Sequence, residues 1–144
     1  MIQDPMQTPS DVVRTLIDGV AGERFSELAR LYAEQTNVTH PFSADSKPMR
    51  SRRDLAQHFS VMASAQARLP AREVIDLVIH QTADPELVVA EFAYQWRLPE
   101  PIRVGCVLVT RVRAGEIVES RDYADPSALA QVAERLRKIR DKKE

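Results

Sequence analysis

The stretch from Leu87 to Asp125 constrains this chain more than any other. It reads as three consecutive antiparallel strands, broken at Pro99-Glu100-Pro101 and at Ala114-Gly115. In the first strand Val88, Ala90, Phe92, Tyr94 and Trp96 alternate with Val89, Glu91, Ala93, Gln95 and Arg97. A period of two puts every aromatic on one face and every charge on the other. In the last strand Ile117 and Tyr123 alternate with Val118, Ser120 and Asp122, so neither face is purely apolar. An aromatic inner face that also carries a carboxylate implies a lined pocket.

The rest of the chain supplies the cover. Thr8-Pro9-Ser10-Asp11 is a helix start, followed by Val12, Val13, Leu16, Ile17 and Val20 at helical spacing. Gly19 and Gly22 end that helix. A second helix is expected from about Arg24 to Glu34, and a short strand over Asn37–Phe42 with Val38, His40 and Phe42 on one face. Ser43 to Arg50 reads as a polar loop. Ser51 and Asp54 form a capping box that opens a third helix through Gln66, with Leu55, Phe59, Met62 and Ala65 inward. From Pro70 to Thr82, Ile75, Leu77 and Ile79 alternate with Val74, Asp76, Val78 and His80. Asp125-Pro126 starts a last helix.

These elements predict an α+β fold. A strongly curved antiparallel sheet packs against N-terminal helices to form a cone with an internal pocket, and a C-terminal helix follows. Residues 1–144 make one domain, with 1–8 a loose leader and 137–144 a charged tail.

With 20 basic against 21 acidic residues, neither nucleic acid nor an anionic membrane is the expected partner. Cys106 is the single cysteine and reads as a small core residue rather than a catalytic thiol. No run reaches membrane-spanning length and no signal pattern opens the chain, which predicts a cytoplasmic protein. His40, His58 and His80 are scattered without metal-ligand spacing, and no glycine-rich phosphate loop is present, so no cofactor is expected.

Two segments carry a resemblance. Tyr32-Ala33-Glu34-Gln35-Thr36-Asn37-Val38-Thr39-His40-Pro41 resembles the end of the second helix and the first strand of the nuclear-transport-factor-2-like (cone-fold) superfamily. Arg111 to Asp125, ending in Arg121-Asp122-Tyr123-Ala124-Asp125, resembles its closing hairpin. The nearest branch is that of the SnoaL-like, polyketide-cyclase-like proteins. By that resemblance His40 stands where ketosteroid isomerases carry their general base, and Asp122 where cyclase-like members carry their acid/base. The isomerase oxyanion donors fall at Leu16 and Val107, and two of the three epoxide-hydrolase residues at Phe92 and Tyr94, so neither chemistry is implied in its usual form.

Two readings of each candidate stay open. His40 is a base at the pocket wall or a packed ring with one nitrogen bonded. Asp122 is a desolvated general acid, or a structural residue that pairs with Arg111 or a neighbour of Arg121 or caps a turn near Pro126. Phe92, Tyr94 and Trp96 are core or ligand platform, and Tyr94 is the side chain able to replace the missing oxyanion donors. Leu16, Phe59, Phe92, Trp96, Val107, Val109 and Ser120 are expected to line the pocket. The implied function is a cofactor-independent isomerase or cyclase using proton transfer on a small apolar cyclic or carbonyl compound. The alternative is a non-catalytic ligand-binding or dimerisation module. A homodimer is expected through the outer sheet face, where Cys106, Leu108, Val112, Ile117 and Tyr123 are placed.

Overall fold

The computed structural model describes residues 7–143; the expected leader lies outside them except for its last two residues. Helix α1 (Pro9–Ala21) begins as the sequence predicts. Thr8 accepts from the Asp11 backbone N–H, and the Asp11 carboxylate accepts from the Thr8 N–H in return. Val12, Val13, Leu16, Ile17 and Val20 are all buried against the sheet. Gly19 allows a close approach: a Cβ there would stand 2.5 Å from Leu28 Cδ2 and would have to displace that side chain.

The predicted second helix does not form. Two 3-10 turns, Phe25–Glu27 and Ala29–Leu31, lead directly into strand β1 (Tyr32–Thr39). Phe25, Leu28 and Leu31 are the buried residues of this segment, and their spacing of three is the 3-10 period rather than the α period. The strand therefore starts earlier than expected and ends before Pro41. Phe42, placed on its inner face by the sequence, is 62% exposed and packs edge-on to Tyr123.

A three-residue strand β2 (Met49–Ser51) occupies the end of the supposed polar loop. It is followed by α2 (Arg52–Gln66), whose first turn is capped by Ser51. Arg52, the first residue of α2, binds the Tyr32 carbonyl and the Glu116 carboxylate. Strands β3 (Arg72–Gln81), β4 (Leu87–Trp96), β5 (Ile102–Arg113) and β6 (Glu116–Ala124) form an antiparallel run, and helix α3 (Pro126–Lys143) closes the chain. The Ala114-Gly115 hairpin has both residues at positive φ, as a tight two-residue turn demands.

The sheet order is β2-β1-β6-β5-β4-β3, and every pairing is antiparallel except β1 with β6, which is parallel. Two bulges decide which side chains face inward. In β3 the register slips between Ile75 and Val78, where Asp76 has φ of 57°. Leu77 and Ile79 pack inward after the bulge, but Val74 replaces Ile75 before it, and Arg72 faces in beside Val74. In β6 the slip falls at Val118, between the Val112–Ile117 and Arg111–Glu119 pairs. That extra residue brings Ile117, Ser120 and Asp122 to one face, which explains why the strand showed no clean alternation.

The register also corrects the outer-face assignment. Cys106 pairs with Phe92, Leu108 with Ala90, and Val112 with Ile117. Directly paired residues share a face. Leu108, Val112 and Ile117 are buried in the core under α1, with Cys106 packed against it, so they are not available for sheet-to-sheet contact. A second, smaller core joins Trp96, Leu98, Ile102 and Val104 to Ala128 and Val132 of α3.

Candidate functional site

A cavity of about 330 Å³ lies between the inner sheet face, α1 and α2. Its walls are mostly apolar, from Leu16, Ile17, Phe59, Phe92 and Leu108 among others, and its polar groups are few. Those are Tyr32, His40, His58, Arg72, Tyr94, Trp96, Cys106 and Asp122, joined at the rim by Tyr123.

Asp122 is the best-organised of them. Its Oδ1 accepts from the Ser120 hydroxyl at 2.5 Å, and Ser120 Oγ lies 2.9 Å from Thr110 Oγ1. Since Ser120 donates to the carboxylate, Thr110 must donate to Ser120. Both hydroxyl residues are buried, and they hold one carboxylate oxygen in place. The other, Oδ2, stands 3.8 Å from His40 Nε2. That is an ion-pair distance, not a hydrogen bond. The far ring nitrogen of His40, Nδ1, lies 3.4 Å from Ser46 Oγ.

The electrostatics follow from the walls. Burial raises the Asp122 pKa above the usual carboxylate range, partly offset by the Ser120 hydrogen bond and by His40. The Asp122 side chain retains 21% exposure because it borders the cavity, though protein surrounds it otherwise. Burial lowers the His58 pKa, with His40 contributing, so His58 favours the neutral ring. Burial also raises the Tyr32 hydroxyl well above its ordinary value, with Asp122 adding to the effect, and Tyr32 stays a neutral donor. The Cys106 thiol is pushed up to about 11, which removes it as a nucleophile at neutral pH.

Leu16, Phe59, Phe92 and Trp96 are found on the cavity wall, with the rings of Tyr94 and Trp96 in sequence along β4. Val107 and Val109 are not. They pair with Glu91 and Val89 and therefore face the outside of the sheet. Their assignment assumed that β5 presents its odd-numbered residues inward, whereas Ile102, Val104, Cys106 and Leu108 are the inner set. Ser120 sits behind Asp122 rather than on the wall. The Tyr94 hydroxyl donates to the Ile17 carbonyl at 3.4 Å, a long bond. Asp122 does not pair with Arg111, which binds Asp84 and Glu86 at the far end of the hairpin.

Several cavity residues escaped the sequence reading, among them His58, Tyr32 and Arg72. His58 falls on the α2 face of Leu55, Phe59 and Met62, and its spacing of three and four from Leu55 and Met62 was the available signal. Tyr32 was assigned to a helix that does not exist. Arg72 had no signal, because only the Asp76 bulge turns it inward. Among the described residues no cluster of three potential ligands is arranged to hold a metal ion, and no helix is long and apolar enough to cross a membrane.

No protein-family profile and no curated protein sequence matches the chain. Solved structures do. A Bacillus subtilis protein proposed to be an isomerase superposes with a TM-score of 0.72 at 18% identity, covering 85% of this chain and 90% of its own. A nuclear-transport-factor-2-like protein of unknown function from Mesorhizobium loti gives 0.61 at 17% identity, over 87% and 97%. The chain has the nuclear-transport-factor-2-like cone fold. A Pseudomonas putida protein proposed to be a polyketide cyclase shares it, with a TM-score of 0.66 at 13% identity over 87% of this chain and 97% of its own. In this cone fold the inner sheet face and the helices enclose the cavity just described, and β1 and β6 deliver His40 and Asp122 to the same side of it.

Proposed function

We propose that the cavity carries out cofactor-independent proton transfer on a small apolar carbonyl compound, as an isomerase or cyclase of the SnoaL-like kind. One observation carries this reading. Asp122 is a desolvated carboxylate with one oxygen fixed by Ser120 and the other directed at His40, in a cavity whose walls are mostly apolar. Such a pair is costly to keep unless it is used.

In this scheme neutral His40 removes a proton from the carbon next to the carbonyl through Nε2. The C–H electron pair moves into the carbon–carbon bond and the carbonyl electrons onto oxygen. Asp122, held toward its protonated form by burial, and the neutral Tyr32 hydroxyl donate to that oxygen. The imidazolium then returns the proton to carbon. Tyr32 fills the place for which Tyr94 was the sequence candidate, since the Tyr94 hydroxyl is directed at the Ile17 carbonyl.

The test is deuterium incorporation. A panel of cyclic ketones is incubated with the protein in heavy water and followed by NMR. Exchange next to the carbonyl is expected above the buffer rate, and His40→Ala and Asp122→Asn should each reduce it by roughly a hundredfold or more. Exchange that is absent for the whole panel, or untouched in both folded variants, overturns the proposal.

A further inference from the structure

The end of the cavity away from Asp122 holds a cation, Arg72, that forms no ion pair among the described residues. Arg72 opens β3 and pairs across the sheet with Trp96. Its guanidinium carbon lies 4.9 Å from the Trp96 ring centroid and 5.3 Å from that of Tyr94. Aromatic faces stabilise a guanidinium but leave its N–H groups unpaired. Arg72 Nε is buried without a hydrogen-bond partner, and so is Trp96 Nε1 beside it. The one carboxylate whose charge reaches Arg72, Glu23, acts from a distance and forms no ion pair with it among the described residues. Arg72 is only partly buried, so the cost falls on its Nε, a buried N–H left without a partner beside an uncompensated charge.

Arg72 and Asp122 mark opposite poles. Arg72 pairs with Trp96 and so stands level with Ile102 of β5, whereas Asp122 pairs with Leu108, further along that strand, and β4 and β5 lie between their own two strands. Between the poles the wall is Phe92, Tyr94, Cys106 and Leu108. At about 330 Å³ the cavity is near the small end of ligand pockets, which span roughly 300–1,000 Å³, and suits one or two rings. A carboxylate matches the planar donor set of a guanidinium better than any other small anion an apolar cavity would admit.

We infer that the cavity binds a cyclic carboxylic acid, its carboxylate on Arg72 and its ring carried along Tyr94 and Phe92 toward Asp122. This names a substrate class for the proposed function, but it requires only binding. The reacting carbon would then lie at the far side of the ring from the acid group, within reach of His40.

Trp96 is the single tryptophan of the chain, so its emission reports on an occupant at Arg72. The experiment titrates the protein at low salt with cyclohexanecarboxylate and, separately, with cyclohexanecarboxamide. The acid is expected to bind at least about tenfold more tightly than the amide, as a charge-assisted hydrogen bond implies. Arg72→Gln should abolish that preference while leaving the amide affinity within about twofold, and thermal denaturation checks that the variant is folded. Equal binding of acid and amide by the wild-type protein overturns the inference, with or without a usable variant. So does an acid that fails to bind below about 10 mM, or a preference that survives in Arg72→Gln. Binding and deuterium exchange are read separately. An intact acid preference without exchange removes only the proton-transfer reading, and exchange without acid preference removes only this one.

Discussion

Asp122 faces His40 at 3.8 Å through one carboxylate oxygen while Ser120 binds the other. The two residues come from β6 and from the end of β1, strands that run parallel and side by side. Burial works against the charge on Asp122, so the pair is held by the surrounding fold and not by its own attraction.

The sign of that cost is testable. A carboxyl whose folded pKa is raised binds its proton more tightly in the native state. Its contribution to stability is greatest at low pH and falls as pH rises from the unfolded value of about 3.9 through the folded one. Asp122→Asn should therefore unfold at a higher temperature than wild type at pH 7, and the difference should vanish near pH 3. Asp84 and Glu86 behave oppositely: Arg111 and Arg113 hold their pKa values down, and their contribution is lost on acidification. Both are present in wild type and variant, so the difference curve isolates Asp122. A variant less stable than wild type at pH 7 would contradict the electrostatic account.

Ser120→Ala removes the donor to Asp122 and leaves the buried Thr110 hydroxyl without its acceptor. The expected loss is about 1–3 kcal/mol in urea denaturation. The Asp122 pKa should rise further, since the Ser120 bond is what lowers it. An NMR titration of the carboxyl carbon reads that shift directly.

Trp96 is 4% exposed and packed on the α3 residues Ala128 and Val132. Truncation to Ala should cost roughly 3–5 kcal/mol. Trp96→Phe deletes an N–H that has no partner, and should cost distinctly less than the Ala variant despite the smaller ring. Equal losses would contradict this, since they would mean that the ring volume Phe retains contributes nothing.

Asp76 sits at φ of 57° in the β3 bulge and binds Arg103 at 2.6 Å. Asp76→Gly should be tolerated, because glycine adopts that backbone freely. Asp76→Val should lose about 1–2 kcal/mol, the strain of a side chain in the left-handed region. If the bulge relaxes, Arg72 turns away from the cavity and tryptophan emission changes with it.

Local chemistry determined much of this protein. The Thr8 and Ser51 caps, the buried stripe of α1, the aromatic face of β4 and the tight Ala114-Gly115 turn each depend on neighbours a few residues apart. The sequence shows them plainly, and the two motif resemblances extend that local information to the cone fold and to His40 and Asp122.

Tertiary structure decided the rest. Face assignment along a strand holds only until a bulge, and a bulge is set by pairing with the neighbouring strand of the sheet. One extra residue at Val118 put Asp122 on the same face as Ile117, and one at Asp76 turned Arg72 inward. Val107 and Val109 face outward with no bulge involved, because the unbroken pairing of β5 with β4 sets Cys106 and Leu108 opposite the inward Phe92 and Ala90. A side chain's face has a period of two, so a shift of one residue reverses it. The alternation within one strand does not reveal the cross-strand pairing that fixes that shift.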